Sequence, residues 1–342
     1  MLMLVSLSSV AATLILAGYL YQQLGGYRDR RRYAGLGRWI DIGKGRKLYL
    51  IEKGSGEPTV VFESGIAATN LNWHHLQEMV SRFAATASYD RIGLGWSSPC
   101  RTPRTPLNIA GELHEMLRRA GIKPPYVLVG HSFGGLVMRR FALLYPEEVS
   151  SLVLVDPMRC EEWPPLDPEK QQMLDRGTRL SSFAIPIAQV GLARLAVTSL
   201  LCGSGRVAER LAGAAGNGGK HVLWRIKTEV GKMPTEVRPI VAAHWSRPAF
   251  YAGLRSHVAA VPDTVREMCD AEPIRGIPVL LLTPGNSLPL DDDCLGRIGD
   301  NVRQLIARES EHWIHLDEPQ LVIDSIRAVV SASGAEAIAA AG

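Results

Sequence analysis

A serine lies on a sharp corner between a predicted strand and a predicted helix. Residues 126–146 read YVLVGHSFGGLVMRRFALLYP, and a helical pattern begins directly after Ser132. A strand-to-helix turn projects a nucleophilic hydroxyl into a cleft and aims backbone N–H groups at the same point. It also strains the serine, and it needs small residues two positions before and after it. Gly130 and Gly134 occupy those positions, so the context predicts a nucleophile rather than an ordinary turn.

A serine hydroxyl needs a general base to become a good nucleophile, and His312 is the predicted base. It lies in ARESEHWIHLDEP, between the last predicted strand and the last predicted helix. In a mostly parallel sheet that loop reaches the same edge as the serine. His315 competes three residues on, but the loop rather than the following helix is expected to face Ser132. His131 adjoins the serine along the chain and is expected to point away from it.

Two positions at this sheet edge could supply the carboxylate that orients the imidazole and stabilises the imidazolium. Asp156 ends the predicted strand SLVLVD. The loop LPLDDD, after the predicted strand PVLLLT, holds Asp291 and Asp292, with Asp293 as an outside candidate. An aspartate at a strand end can also simply cap a turn, so the residues alone leave both positions open.

Short apolar runs with β-branched content predict the strands that position these residues. The runs are 38–43, 47–54, 58–64, 85–90, 126–130, 151–156, 278–283 and 302–307. Two strands followed by an alternation of strands and helices predict an α/β fold with an eight-stranded, mostly parallel sheet that is covered on both faces. The predicted domain covers residues 38–332, and an Ala-rich tail follows over 333–342.

The alternation stops between the sixth and seventh predicted strands. This long insertion, about residues 158–275, predicts a helical cap over one end of the sheet. Its most apolar piece, SSFAIPIAQVGLARLAVTSLL, is interrupted by Pro186, Gly191 and Arg194, so it is not interpreted as a membrane span. A GAAGNGG linker follows it at 213–219.

Residues 1–27 predict a single transmembrane anchor. The chain carries no charge from Leu2 to Tyr21, which is enough for one helical crossing of a bilayer. Tyrosines typical of a membrane interface follow, and a basic linker over 28–37 begins with Arg28, Arg30, Arg31 and Arg32. A cleaved signal peptide is the alternative, weakened by the missing basic n-region and the length of the apolar run. The arginines favour a catalytic domain on the cytoplasmic side.

Composition disfavours a nucleic-acid partner. The net charge of +4 is small for 342 residues, and the basic residues are not gathered into a stripe beside aromatic ones. The hydrophobic content of 46% is that of a globular protein.

At these motifs the sequence resembles the α/β-hydrolase fold serine hydrolases, over about residues 35–330 apart from the cap. VVFESGIAATNLNW (60–73) is similar to the family's strand and oxyanion loop, with Ser64 where many members have histidine. The resemblance implies the N–H groups of Ile66 and Phe133 as the oxyanion donors. YDRIGLGWSSP (89–99) is similar to the segment that shapes the active-site floor, and HWIHLDEPQLV resembles the family's histidine-containing ending.

The same resemblance bears on the acid and on the subgroup. Many relatives place the acid two to four residues after a glycine that follows the penultimate strand, whereas here NSLPL separates Gly285 from the first aspartate. This departure favours Asp156. The N-terminal anchor, the arginine run and the ESG variant resemble a subgroup of membrane-tethered hydrolases.

The expected function is a membrane-anchored, cofactor-independent serine hydrolase of carboxylic esters, of carboxylesterase or lipase type. Ser132, His312 and Asp156 would form its triad, with an acyl-enzyme intermediate. An apolar cap near a membrane favours small-molecule acyl substrates with medium or long, lipid-like chains. Acyl transfer or amide hydrolysis with the same triad stays open, as does a slow-turnover receptor on the same fold. Epoxide hydrolysis and dehalogenation by a carboxylate nucleophile are disfavoured, because residue 132 is serine.

Overall fold

One sheet organises the chain. The computed structural model describes residues 2–159, 168–202, 205, 206, 209, 210, 213 and 228–331. Within these residues eight strands pair in the order β1-β2-β4-β3-β5-β6-β7-β8. They are β1 (Arg38–Asp41), β2 (Lys47–Lys53), β3 (Thr59–Glu63), β4 (Thr86–Asp90), β5 (Tyr126–His131), β6 (Val149–Val155), β7 (Val279–Pro284) and β8 (Val302–Ala307). The pairs β1–β2 and β2–β4 are antiparallel and the others are parallel, which confirms the predicted eight-stranded, mostly parallel sheet.

Helices cover both faces of the sheet. They include α1 (Leu2–Tyr33), α2 (His74–Val80), α3 (Pro106–Ala120), α4 (Phe133–Leu144), α5 (Pro168–Gln189), α6 (Leu192–Cys202), α7 (Arg238–Trp245), α8 (Pro248–Ala259), α9 (Val261–Cys269), α10 (Asp292–Ile298), α11 (Ile314–Asp317) and α12 (Pro319–Ser331). Helices α3 and α4 pack on one face, and α2 and α12 pack on the other. The insertion between β6 and β7 contains α5 to α9.

Strand β5 lies in the centre of the sheet and is buried on both sides. Leu128 contributes to the core under α3 and α4, whereas Val127 and Val129 contribute to the core under α2 and α12. A strand covered on both faces is a continuous apolar run rather than an alternating one, which explains the run YVLV. The corner at Ser132, which follows this strand, is therefore held by packing on both faces of the sheet.

The N-terminal helix does not end where the anchor was predicted to end. Helix α1 continues through the arginines to Tyr33, so the first half of the predicted linker 28–37 is helical. Within the part of the chain that the structure describes, no single helix is both long and apolar enough to cross a membrane. Two consecutive helices, Pro168–Gln189 and Leu192–Leu201, are long and apolar enough only when they are taken together, and they are bent by 96° at the break between them.

The apolar piece of the cap forms two helices that meet at one break. Pro186 lies inside α5, and Arg194 lies inside α6. The break occurs at Val190 and Gly191, where Gly191 has a φ of +77° that favours glycine. Pro186 and Arg194 therefore interrupt the apolar run without ending a helix. Most of the predicted GAAGNGG linker and all of the Ala-rich tail lie outside the described residues.

Buried histidines should make the stability of this fold depend on pH. Burial, with a smaller effect of the Arg247 charge, lowers the pKa of His244 to about 3. Among the described residues neither ring nitrogen of His244 has a hydrogen-bond partner, and the ring packs edge-on against Trp96 at 4.7 Å between centroids. Because the ordinary pKa of histidine is about 6.5, the unfolded chain takes up a proton below that pH that the folded chain excludes. Stability is then present above the unfolded pKa and is lost as the pH falls.

We expect His244→Phe to reduce this acid sensitivity. When the pH is lowered from about 7.5 to about 5, the His244 side chain alone should reduce the free energy of unfolding of the wild type by about 2 kcal/mol. Phenylalanine keeps the contact with Trp96 and removes the titration, so the loss should be smaller by that amount in urea unfolding curves. The exposed His75 provides the control, His75→Gln, which should leave the difference unchanged. Equal acid sensitivity of wild type and His244→Phe would contradict the prediction.

Candidate active site

Ser132 occupies a strained corner between β5 and α4. Its backbone has φ 53° and ψ −122°, a conformation that costs a non-glycine residue about 1–3 kcal/mol. The carbonyl of Ser132 accepts hydrogen bonds from the N–H groups of Gly135, at 2.9 Å, and Met158, at 3.0 Å. Phe133 is the first residue of α4, so its N–H has no acceptor within the helix. The strain that the sequence predicted for this position is present.

Glycines make room for the close approach of strand and helix. A Cβ atom on Gly130 would lie 2.6 Å from the carbonyl oxygen of Gly134. On Gly134 it would lie 2.5 Å from the carbonyl oxygen of Glu63 and 2.6 Å from that of Ser64. These neighbours are backbone atoms and cannot rotate away. Side chains at the two positions would therefore push α4 off the sheet.

We expect Gly134→Ala to lower the free energy of unfolding by roughly 3 kcal/mol, in line with the upper range for overpacked cores. It should also displace the expected oxyanion loop in the protein that remains folded, because that loop includes the Ser64 backbone. Gly111→Ala is the matched control in α3, since nothing lies within 4 Å of the added Cβ. That change should raise stability by about 0.5–1 kcal/mol. Urea unfolding measures both, and equal effects would contradict the role of Gly134.

The structure brings His312 and Asp156 together. His312 Nδ1 lies 2.6 Å from Asp156 Oδ2. A carboxylate oxygen here accepts a hydrogen bond from Nδ1–H, and in the neutral imidazole this arrangement leaves a lone pair on Nε2. The residue after β6 is Asp156, with φ 40°, and its N–H donates to the Leu282 carbonyl at 2.8 Å. This anchor to β7 aims the side chain along the sheet edge at which Ser132 stands.

The other acidic candidates have different positions. Asp291 is the N-cap of α10, and its Oδ1 accepts the N–H of Cys294 at 2.9 Å. That hydrogen bond holds the pKa of the Asp291 carboxyl below its usual value. Asp292 and Asp293 lie exposed in the first turn of the same helix. The geometry therefore gives the LPLDDD loop a capping role and places Asp156 against the imidazole.

His131 and His315 pack behind the His312 loop. The Nε2–H of His131 donates to the backbone carbonyl of His312 at 2.8 Å. Its ring lies 4.6 Å from the His312 ring and 4.4 Å from the His315 ring, between centroids. Burial lowers the pKa of His131 well below its usual value and that of His315 to about 3. Both rings are therefore neutral, and neither adds a positive charge that would oppose an imidazolium on His312.

The expected oxyanion loop lies beside Ser132. The N–H of Ala68 donates to the Gly65 carbonyl at 3.2 Å, and Ala67 has a φ of 62°, so a tight turn follows β3. A Cβ on Gly65 would lie 3.5 Å from the Cβ of Ser132. Ile66 packs in the same apolar cluster as Phe133. The two residues implied as oxyanion donors thus stand on the two segments that border the serine.

A buried charge network supports this turn. Glu63 and Arg91 are each 1% exposed, with Glu63 Oε1 3.6 Å from Arg91 Nη1. The N–H of Ser64 donates to Glu63 Oε1 at 2.9 Å, the Tyr89 hydroxyl donates to Glu63 Oε2, and Arg91 donates to the Gly65 carbonyl. The guanidinium also lies 5.2 Å from the ring of Phe133. Arg91 therefore joins the expected oxyanion turn to Phe133, the residue that follows Ser132.

The sequence interpretation placed Arg91 only within the segment that shapes the active-site floor, and it assigned no individual role to Glu63, Arg91 or the His131 side chain. A signal was present for the first two, since each charged residue stands at or next to the end of an apolar strand that a covered sheet must bury. Such charges are rarely buried without a partner. Nothing in the sequence indicated the hydrogen bond from His131 to the His312 backbone, because it joins residues 181 positions apart.

Comparison with known proteins supports the same fold. A family model described as alpha/beta hydrolase fold matches residues 58–194, a segment that includes Ser132 and Asp156. The uncharacterized protein YqjL of Bacillus subtilis (strain 168) is 34% identical over 105 residues, which is 31% of this chain and 42% of YqjL. The 1-acylglycerol-3-phosphate O-acyltransferase of Arabidopsis thaliana is 31% identical over 127 residues, 34% of this chain and 30% of that protein.

A solved structure extends the likeness beyond the family match. The epoxide hydrolase CorEH without ligand superposes on 85% of this chain and 96% of its own, with a TM-score of 0.63 and 16% sequence identity. At that identity the likeness concerns the fold. The chain spans less than half the length of the two curated relatives named above. Sheet order, cap position and these matches together give the chain the α/β-hydrolase fold.

Proposed function

We propose that the protein is a serine hydrolase that cleaves carboxylic esters through an acyl-enzyme. The observation that carries the proposal is the 2.6 Å contact between His312 Nδ1 and Asp156 Oδ2, at the sheet edge where Ser132 stands in its strained corner. An aspartate bound to Nδ1 leaves Nε2 as the base, which is the arrangement that a serine nucleophile requires.

The proposed reaction has two halves. Ser132 Oγ attacks the acyl carbon while His312 Nε2 takes its proton, and Asp156 stabilises the resulting imidazolium. The N–H groups of Ile66 and Phe133 stabilise the oxyanion of the tetrahedral intermediate. His312 then returns the proton to the departing alcohol. In the second half water attacks the acyl-enzyme while His312 Nε2 takes the water proton, and His312 returns that proton to Ser132 Oγ as the bond between Oγ and the acyl carbon breaks and the acid leaves. No cofactor takes part in these steps.

Two observations favour hydrolysis of an ester over related chemistry. The His312 side chain is 42% exposed. Water can therefore reach the base, which would activate it to hydrolyse the acyl-enzyme. A carboxylate nucleophile of the kind used to open epoxides is not available at position 132, which is serine. Acyl transfer, the activity named for the Arabidopsis relative, uses the same residues but needs an alcohol in place of that water.

We also propose that α1 holds the protein at a membrane, with the catalytic domain on the cytoplasmic side. Apolar side chains of α1 are exposed, with Val10, Leu14, Ile15 and Leu16 each 57–67% exposed. The arginines follow at the C-terminal end of the helix, where they favour the cytoplasmic face. Proximity to lipid supports a substrate with a medium or long acyl chain.

A series of p-nitrophenyl esters from acetate to palmitate tests this function. We expect turnover that rises with chain length, and free fatty acid as the product even when an alcohol is added as a competing acceptor. Ester formed with the alcohol in preference to free acid would reassign the protein as an acyltransferase. Saturable binding of the esters without turnover would reassign it as a receptor on the same fold.

A further inference from the structure

Exposed apolar side chains are concentrated where helices α5 and α6 meet. We call this region the apolar corner. Its side chains are 45–69% exposed and belong to Leu180, Phe183, Ile187, Leu192 and Leu195. Helices α5 and α6 are bent by 96° relative to each other, and Leu180, Phe183 and Ile187 lie on α5 whereas Leu192 and Leu195 lie on α6. A cluster of exposed apolar side chains of this kind is typical of an interaction surface.

The apolar corner sits directly on α1. A Cβ on Gly18 of α1 would clash with the carbonyl oxygen of Val190, and a Cβ on Gly191 would lie 2.7 Å from the carbonyl oxygen of Gly18. The turn between α5 and α6 therefore meets α1 backbone to backbone. Exposed apolar residues of α1 lie near this contact along the helix, since Leu14, 67% exposed, precedes Gly18 by about one turn.

A buried arginine fixes the corner to α1. Arg194 of α6 is 7% exposed, and its Nη1 lies 2.6 Å from Asp29 Oδ2. Its Nε donates to Gln22 Oε1 at 3.0 Å, and Gln22 Nε2 donates to the Ser246 carbonyl at 3.0 Å. Breaking a buried ion pair of this kind is costly because it leaves a charge without a partner. The apolar corner and α1 should therefore stay in contact with each other and enter or leave a membrane together.

The position of the arginines sets the depth of the corner. Arg28, Arg30, Arg31 and Arg32 are exposed at the C-terminal end of α1, where anionic headgroups would attract them. Gly18 precedes Arg28 by ten positions, which at 1.5 Å per residue is about 15 Å along the helix axis. One leaflet of a hydrocarbon core is also about 15 Å thick. With the arginines among the headgroups, the corner would lie inside the leaflet.

We propose that the apolar corner is seated in the lipid of an anionic bilayer beside α1, so that the cap enters the membrane without crossing it. The bend turns the chain back toward the headgroups, and the exposed apolar side chains of the corner contact acyl chains. This placement rests on the proposed membrane attachment of α1. It also gives an acyl substrate a route to the cap from the lipid rather than from water.

Photolabelling with a lipid-soluble aryl diazirine tests the placement. The full-length protein is placed in vesicles of phosphatidylcholine and phosphatidylglycerol, irradiated, and mapped by peptide mass spectrometry. We expect label on α1 and on residues 180–195, and none at Leu107, Leu144 and Leu288, which are exposed apolar residues on other surfaces. If α1 were labelled but residues 180–195 carried no more label than Leu288, the proposal would be overturned. Absence of label on both α1 and the apolar corner would also overturn it, and the corner would then be a candidate surface for binding another protein.

Charge substitutions sharpen the same measurement. Phe183→Asp combined with Ile187→Asp should lower the labelling of residues 191–195 by about tenfold or more, because aspartate is strongly disfavoured in hydrocarbon. Leu107→Asp combined with Leu288→Asp is the matched control and should leave the labelling unchanged. Unchanged labelling in the corner variant would also overturn the proposal. The experiment does not use turnover, so a protein inactive on esters but labelled in the corner would refute only the proposed function.

Discussion

Replacing Ser132 with alanine is expected to lower kcat/KM for ester hydrolysis by on the order of 10⁵–10⁶-fold, as for other serine enzymes that lose the nucleophile. The change removes the hydroxyl that bonds to the acyl carbon and leaves the corner, its glycines and the oxyanion turn in place. Alanine has the same backbone requirement as serine at φ 53°, so the fold should be retained. Initial rates with a p-nitrophenyl ester measure the effect.

The control for this variant is Ser55→Ala, in the exposed loop after β2. It should keep the wild-type rate. A folded Ser132→Ala protein that retains more than about a tenth of the wild-type kcat/KM would show that the ester is cleaved by another group.

Replacing Asp156 with asparagine is expected to lower turnover by on the order of 10⁴-fold. The asparagine amide would donate a hydrogen bond to His312 Nδ1, which forces the proton onto Nε2 and removes the base. Asparagine tolerates positive φ better than most residues, so the backbone of residue 156, at φ 40°, should be preserved. Pre-steady-state kinetics should locate the loss in acylation.

Asp291→Asn is the matched control for the acid. Asparagine is as good an N-cap as aspartate, so α10 should keep its first turn and turnover should stay within about twofold. Circular dichroism must show that each variant is folded. If the Asp156 variant kept near-normal turnover while Asp291→Asn lost it, the acid would belong to the loop after β7.

The sheet and its corner could be predicted from the sequence because their signals are local. The apolar run before Gly130 reports a central strand with both faces buried, and glycines two positions on either side of Ser132 report the closeness of strand and helix. The strand limits were predicted to within two residues, as shown by β6, which was expected at 151–156 and occupies Val149–Val155. These features depend on residues that are neighbours along the chain.

The acid and the cap could not be derived in the same way. Whether Asp156 or Asp291 approaches His312 depends on how β6, β7 and the last loop are placed relative to one another, and each aspartate follows a strand. The resemblance to known hydrolases favoured Asp156, and the geometry brings that residue to His312. The seating of α1 on the cap through Gly18 and Arg194 is also long-range, since Arg194 lies 172 positions from Gln22.

The central claim, that Ser132 is a nucleophile activated by His312, is tested most directly by a fluorophosphonate probe. The probe phosphonylates a serine only when a base takes its proton, and tryptic mass spectrometry locates the adduct. The account predicts one adduct, on the peptide that contains Ser132, with no adduct in Ser132→Ala and much slower labelling in Asp156→Asn. An adduct on a different serine, or a folded wild-type protein that the probe does not modify, would contradict it.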